Sequence, residues 1–368
     1  MKTVTLLVKP ASGLCNMRCK YCFYTDEMAH RACASHGIMR EAVLDAMLRR
    51  AFDAAEKSLN IAFQGGEPTL AGLDFFKKVH ELTQKYNTKK IEVNLSIQTN
   101  GYDISREMAE LFAKEKYLVG VSIDGYSELH DMHRVNADGK GTFSRVKKTV
   151  KLLEACGVEY NILTVITAAA ARSGRKIYRS LTQAGFRHIQ FIACLDPLTG
   201  DGGKYSLTSD RYGRFLCDTF DCYFEDFAKG NYVSIRDFDN LVYRAAGLPV
   251  ENCAMVGRCG GYFTVEADGD TYPCDFYVLD EWLMGNMLEN TLEEMATCET
   301  AKRFIEISEH VEEECRACRH YFLCRGGCRR NRDVDGELQK NRFCEAYKLF
   351  YDYATPRLVQ MARSIRKS

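Results

Sequence analysis

The segment Cys15-Asn16-Met17-Arg18-Cys19-Lys20-Tyr21-Cys22 decides how the rest of the chain is read. Its spacing is C-x3-C-x2-C, and it directly follows a β-rich run, Thr3–Lys9. In a parallel barrel the loop after a strand lies on the carboxy-terminal face, where functional groups gather. Three thiolates on one compact loop can hold three irons of a [4Fe–4S] cluster and leave the fourth iron without a protein ligand. An open metal position is where substrate binds and chemistry occurs. The alternative on spacing alone is a zinc loop completed from afar, by Cys33 or His36.

The remaining composition supports a thiol-based reading. The chain has 368 residues, 50 basic and 50 acidic side chains, and 17 cysteines. An odd number cannot all pair as disulfides, and a chain of this size needs none to fold. A zero net charge argues against a nucleic-acid partner, which normally demands a basic excess. The apolar run Val4–Val8 is too short for a secretory signal and is halted by Lys9-Pro10. No stretch approaches the roughly 18 apolar residues of a membrane span. The expected location is cytoplasmic, where clustered cysteines hold metal more often than they form bridges.

Strands and amphipathic helices alternate through the first half. Expected strands are Thr3–Lys9, Asn60–Phe63, Val93–Ile97, Leu118–Ile123, Tyr160–Ile166 and His188–Ile192. Expected helices are Arg40–Lys57, Leu73–Tyr86, Ser105–Lys114, Thr142–Ala155 and Arg172–Ala184. In the first of these, Val43, Met47, Ala51 and Ala54 share one face. Such alternation implies parallel strands with right-handed crossovers. The expected class is α/β: a partial (β/α)6 TIM-like barrel with a C-terminal cysteine-rich iron-sulfur domain and terminal helix. A flat doubly wound sheet is the other architecture that the pattern allows. The composition breaks near residue 234, so the expected domains are 1–233 and 234–368. Beyond the break a hairpin is expected at Tyr262–Val265 and Thr271–Pro273, and a last helix at Glu345–Arg366.

The motif resembles that of the radical S-adenosylmethionine (SAM) superfamily. Phe23 follows the last cysteine, and Gly65-Gly66-Glu67-Pro68 stands one strand–helix unit later, as in that superfamily. The resemblance implies that the open iron chelates SAM, whose reductive cleavage yields a 5′-deoxyadenosyl radical. It also implies SAM contacts from Tyr21, Gly66, Ser122, Arg134 and Leu195. Glycines there would let backbone approach the methionine amino group. Without the resemblance, Leu195 reads as core and Arg134 as a surface charge. His130 and His133, an isolated H-x2-H, are expected to face solvent.

A second cysteine field has the spacing Cys253-x5-Cys259-x14-Cys274 and then Cys315-x2-Cys318-x5-Cys324-x3-Cys328-x15-Cys344. With Cys298 aside, eight thiols suffice for two four-ligand clusters; two zinc knuckles are the alternative. The field resembles the auxiliary-cluster extension called SPASM. That resemblance assigns Cys253, Cys259, Cys274 and Cys328 to one [4Fe–4S] cluster and Cys315, Cys318, Cys324 and Cys344 to the other. Three [4Fe–4S] clusters and SAM are therefore the expected cofactors. Arg325, Arg329, Arg330 and Arg332 are expected on a solvated surface; the alternative is that they offset thiolate charge nearby. Cys33, Cys156, Cys194, Cys217, Cys222 and Cys298 read as small buried apolar residues.

Nearly end to end, the chain is similar to the anaerobic sulfatase-maturating enzymes. The matches include Lys9–Ser12, Phe63–Gly72, Cys194-Leu195-Asp196-Pro197-Leu198 and Tyr272–Tyr277. Membership implies oxidation of a sulfatase cysteine or serine to Cα-formylglycine without oxygen. It also implies a sulfatase polypeptide as substrate and a reduced flavodoxin or ferredoxin-like electron donor. Asp275 is the implied base. A free thiol near pKa 8.5 exceeds an aspartate near 3.9 by about 4.6 units, roughly 6 kcal/mol uphill. Burial of the carboxyl would narrow that gap.

The rival enzyme reading is a SPASM protein that crosslinks or oxidises a ribosomally made peptide. Many of those carry a peptide-binding domain before the barrel, whereas the first strand here is expected from residue 3. A rival outside catalysis, an electron carrier or zinc-structural protein, has no use for C-x3-C-x2-C together with Gly65–Pro68.

Overall fold

The structure, a computed structural model, describes residues 1–199, 202–334 and 337–365. These fold into two compact units that interleave along the chain. The first comprises Met1–Ser122, Arg134–Tyr160 and Gly260–Glu306; the second comprises Ile123–His133, Asn161–Cys259 and Ile307–Ser368.

Parallel strands β1 (Thr3–Val8), β2 (Ser58–Phe63), β3 (Glu92–Thr99) and β4 (Leu118–Ser122) form the frame of the first unit. β5 (Tyr160–Ile166), β6 (His188–Ala193) and β7 (Ser234–Ile235) pair in parallel in the second. Back in the first unit, β8 (Phe263–Val265) runs parallel to β1 on its free edge. β9 (Asp270–Tyr272) and β10 (Gly285–Asn286) then continue that edge in antiparallel sense. The expected hairpin is therefore present, and its first strand is tied into the parallel sheet.

The strands alternate faces. In β1 and β2, Val4, Leu6, Val8, Leu59, Ile61 and Phe63 are all buried under the helices. The opposite face is polar: Asn60 donates to Thr5 Oγ1 at 3.1 Å, and Asn94 donates to Asn60 Oδ1 at 3.1 Å. This polar ladder ends at the carboxy-terminal side, where Gln64, Gln98 and Ser122 stand. Burial of each large apolar side chain contributes about 1.5–3 kcal/mol, and aromatic edge-to-face pairs add to it. Phe63 meets Phe76 at 5.4 Å, and Phe76 meets Phe112 at 5.4 Å.

Helices follow the strands. They are α1 (Phe23–Ala29), α2 (Glu41–Ala54), α3 (Leu73–Tyr86), α4 (Arg106–Lys114), α5 (Ser127–His133), α6 (Phe143–Ala155) and α7 (Gly174–Gln183). Val43, Met47, Ala51 and Ala54 are the buried stripe of α2, as their spacing requires. Three longer helices carry the second unit: α8 (Ser209–Ala228), α9 (Arg236–Ala246) and, at the carboxy terminus, Cys344–Ile365. Phe220 of α8 packs on Phe238 of α9 at 5.3 Å and on Phe350 of the last helix at 5.5 Å. Arg366, the expected end of that helix, lies outside the described residues. Neither α8 nor α9 is evident from the sequence, because aromatic and acidic residues blur their apolar stripes.

Several expectations are corrected. His130 and His133 are buried, not solvent-facing. His130 Nδ1 accepts the amide of Asp124 at 3.2 Å, and His133 lies 3.5 Å from Thr167 Oγ1. Of the six spare cysteines only Cys194 and Cys222 are buried; Cys33 is exposed and the other three are half-buried. Arg329, Arg330 and Arg332 are buried too, so the basic run is no solvated surface.

Candidate active site and cysteine clusters

The first cysteine loop is fixed by backbone. Ser12 O and Leu14 O accept the amides of Gly66 (2.8 Å) and Glu67 (2.7 Å), and Arg18 N donates to Val135 O at 2.7 Å. A Cβ on Gly66 would stand 2.1 Å from Leu14 O, and Gly65 has φ +111°. The two glycines therefore have a reason inside the protein: they let the second loop dock against the cysteine loop.

Glu67 locks that docking. Fully buried, it accepts Thr69 N (3.1 Å), Thr69 Oγ1 (2.7 Å) and Thr99 Oγ1 (2.8 Å) on Oε1, and Asn100 N (2.7 Å) on Oε2. Asn100 in turn donates to Asn16 Oδ1 at 2.8 Å and to Cys15 Sγ at 3.6 Å. Cys15 Sγ also accepts the Met17 amide at 3.4 Å. Burial pushes the Cys15 thiol up, the Met17 and Asn100 donors oppose it, and Cys22 raises it further. Soft sulfur donors with N–H groups aimed at them suit an iron–sulfur cluster.

Four of the five expected SAM-contact residues belong to this unit. Arg134, buried rather than exposed, sits with its guanidinium 5.4 Å from the Tyr21 ring centroid. Ser122 Oγ, at the end of β4, accepts Gln98 Nε2 at 3.2 Å. Gly66 lies against the cysteine loop. Leu195 belongs to the second unit and is half-buried rather than core.

Asp275 lies in the 3-10 turn directly after Cys274, whose sulfur is 3.2 Å from Tyr262 Oη. Its carboxylate is buried. Oδ2 accepts Tyr24 Oη–H at 2.8 Å and Gln64 Nε2–H at 2.7 Å, while Oδ1 has no hydrogen-bond partner. Burial pushes the group up to about 6, against the opposing pull of Lys9. That shift narrows the gap to the pKa of a free thiol.

Beneath Asp275 lies a charge cluster to which the sequence reading gave no role. Lys9 Nζ bonds Glu27 Oε1 at 2.8 Å and Glu266 Oε1 at 3.1 Å; Arg31 Nη1 bonds Glu266 Oε1 at 2.7 Å. All four side chains are buried. Three carboxyls (Glu27, Glu266, Asp275) thus face two cations. Burial of Glu266 is outweighed by Lys9 and Arg31, which hold it near 2. Burial wins at Glu27 and pushes it up to about 7. The available signal was a lysine between a strand and a proline, with Glu27 and Arg31 at helical spacing.

In the second unit the thiols sort into two groups. Burial first, and then Cys344, Cys315 and Cys318, push Cys324 up to about 11; these four line one cavity. Cys328 is pushed up to about 12 by burial and then by Cys253 and Cys259. Cys328 is thus a neighbour of thiols more than 60 residues before it, although Cys324 is only one turn away. Cys274 belongs to the first unit. Around the loop after β6, Arg330 Nη2 donates to Asp196 O at 2.7 Å and Arg342 Nη2 to Cys194 O at 3.1 Å. Arg342 also pairs with the Asp196 carboxylate. No helix among the described residues is long and apolar enough to cross a membrane.

Comparison with known proteins agrees with this organisation. Residues 10–168 match the radical SAM superfamily, and residues 253–319 match an iron-sulfur cluster-binding domain. A cysteine-type anaerobic sulfatase-maturating enzyme of Clostridium perfringens is 44% identical over 100% of both chains. A serine-type enzyme of Bacteroides thetaiotaomicron is 29% identical over 99% of this chain and 92% of its own. The solved structure of native anSMEcpe with bound AdoMet and Cp18Cys peptide superposes with a TM-score of 0.94 at 44% identity, covering 99% of each chain. Streptococcus suis SuiB bound to precursor peptide SuiA shares the fold at 18% identity, with a TM-score of 0.62 over 93% of this chain and 75% of its own. The fold is α/β, a radical SAM partial barrel with a carboxy-terminal iron–sulfur domain, and the flat doubly wound alternative is set aside.

Proposed function

This chain belongs to the anaerobic sulfatase-maturating enzymes, radical SAM oxidoreductases, and we propose that it converts a cysteine of a sulfatase polypeptide to Cα-formylglycine. The cysteine rather than serine preference rests on the 44% identity to a cysteine-type enzyme against 29% to a serine-type one. The functional division is a radical SAM part, 1–233, and an auxiliary-cluster part, 234–368. Cys15, Cys19 and Cys22 hold the cluster that binds SAM. Cys253, Cys259, Cys274 and Cys328 hold one auxiliary [4Fe–4S] cluster, and Cys315, Cys318, Cys324 and Cys344 hold the other. Reductive cleavage of the bound SAM supplies a 5′-deoxyadenosyl radical, which removes a substrate Cβ hydrogen.

The observation that carries the reading is the state of Asp275: buried, one oxygen held by two donors, the other without a partner. Tyr24 and Gln64 fix the carboxylate plane, and Oδ1 takes the substrate S–H proton. A base whose own pKa is raised by burial holds that proton at less cost than a solvated aspartate. Loss of the Cβ hydrogen, the S–H proton and one electron leaves a thioaldehyde; water then gives the aldehyde and hydrogen sulfide. An auxiliary cluster held by Cys253, Cys259, Cys274 and Cys328 would supply an acceptor for that electron. Tyr21, Gly66, Ser122, Arg134 and Leu195 hold SAM, with the Arg134 guanidinium suited to its carboxylate. A reduced flavodoxin or ferredoxin-like protein supplies electrons, and the reaction takes place in the cytoplasm.

The test is anaerobic reconstitution with reduced donor, SAM and sulfatase-derived peptides. A cysteine peptide should lose about 18 Da and a serine peptide about 2 Da, the latter more slowly. Intact peptide beside cleaved SAM, or a crosslinked product, would refute the assignment.

A further inference from the structure

Arg332 is almost fully buried, and its polar contacts are unusual for a buried cation. Nη1 donates to Ser308 O at 3.2 Å and Nη2 to the carbonyl of His310. Both acceptors are neutral. Its neighbour Arg329, by contrast, stands 3.7 Å from the Asp333 carboxylate. No described carboxylate forms an ion pair with Arg332. A buried guanidinium without a counter-charge is costly, so something else in its surroundings must meet the charge.

Thiols of both groups of this unit stand near it. Arg332 lines one cavity with Cys315, Cys324 and Cys344. Ser308, whose carbonyl accepts from Arg332, uses its Oγ to accept the amide of Cys259 at 3.0 Å. The guanidinium thus shares one residue with a thiol of the first group and one cavity with three thiols of the second. Lys340 and Lys348 also stand near the second group. They are more exposed, and Glu314 and Glu345 already pair with them, so solvent screens them.

We propose that Arg332 is the shared electrostatic element of the two auxiliary centres and sets their reduction potentials together. A fixed cation in a region that water does not reach stabilises the form that carries one more electron. When the substrate radical is oxidised by one electron, its thiol proton goes to the base and one auxiliary centre is reduced. Arg332 then favours the reduced form at either centre, so the electron can pass from one to the other without a large step. The proposal rests on the assignment of these thiols as cluster ligands.

The test is a redox titration of the fully reconstituted enzyme, followed by electron paramagnetic resonance, with Arg332→Gln and Arg332→Lys beside the parent. In Arg332→Gln both auxiliary potentials should move negative, the amino-terminal cluster should not move, and formylglycine made per SAM cleaved should fall several-fold. Arg332→Lys, which keeps the charge, should stay near the parent on all three. Unchanged potentials in an iron-replete Arg332→Gln, or a shift at one centre only, would overturn the shared role. If Arg332→Gln fails to load iron, Arg332→Lys decides: a negative shift despite the retained charge refutes the electrostatic account. A parent enzyme with fewer than three clusters would instead refute the ligand assignment.

Discussion

Tyr24 donates its phenolic hydrogen to Oδ2 of Asp275 across 2.8 Å, joining the helix after the first cysteine loop to the turn after Cys274. Gln64 donates to the same oxygen from the end of β2. Two donors on one oxygen leave the other as the only place on that carboxylate for a new proton.

Asp275→Asn retains the shape and loses the base. SAM cleavage should continue, while formylglycine should fall by about 10²–10⁴-fold. Chromatography of 5′-deoxyadenosine beside mass spectrometry of the peptide separates the two; a variant that forms full product would remove Asp275 from its role.

Glu27 gives a pH dependence whose sign is fixed by its raised position. A carboxyl moved from 4.5 up to about 7 favours the fold below 4.5 and loses that contribution as pH rises through 7. Thermal unfolding of the anaerobic enzyme from pH 5 to 8 should show stability falling with pH, and Glu27→Gln should flatten that slope. A slope that survives the substitution must come from other groups.

Gly66→Ala places a methyl group 2.1 Å from Leu14 O, which is backbone and cannot step aside. The variant should lose one cluster equivalent of iron, and SAM binding with it, while the thiols of the second unit still load. Iron and sulfide analysis checks this; normal loading would show that the cysteine loop tolerates displacement.

Glu67→Ala deprives four buried donors of their acceptor. Each unsatisfied group costs about 1–3 kcal/mol, so partial relaxation still leaves a large drop in unfolding temperature. Differential scanning calorimetry under nitrogen should register it, and a change within error would mean that water replaces the carboxylate.

Arg342 pairs with Asp196 and holds Cys194 O. If Leu195 contacts SAM, Arg342→Ala should weaken SAM binding several-fold in equilibrium dialysis while iron content stays whole. Undiminished affinity would detach the loop after β6 from cofactor binding.

The sequence carried the first cluster because its three ligands lie within eight residues, where spacing alone restricts geometry. Strand and helix positions followed from apolar period in the same local way, and β5 and α3 fall where the pattern puts them. The partners of Asp275 did not follow, since Gln64 and Tyr24 are 211 and 251 residues away and neither has a pattern that points to it. Burial of Lys9, Arg31 and Arg332 was equally hidden. A charged side chain reads as a surface residue until tertiary packing encloses it, and only then do its counter-charges become identifiable. Local covalent spacing determined which metal chemistry this chain supports. Long-range packing decided which charges surround it, because electrostatic strength depends on exclusion of water, and water is excluded only by the assembled fold.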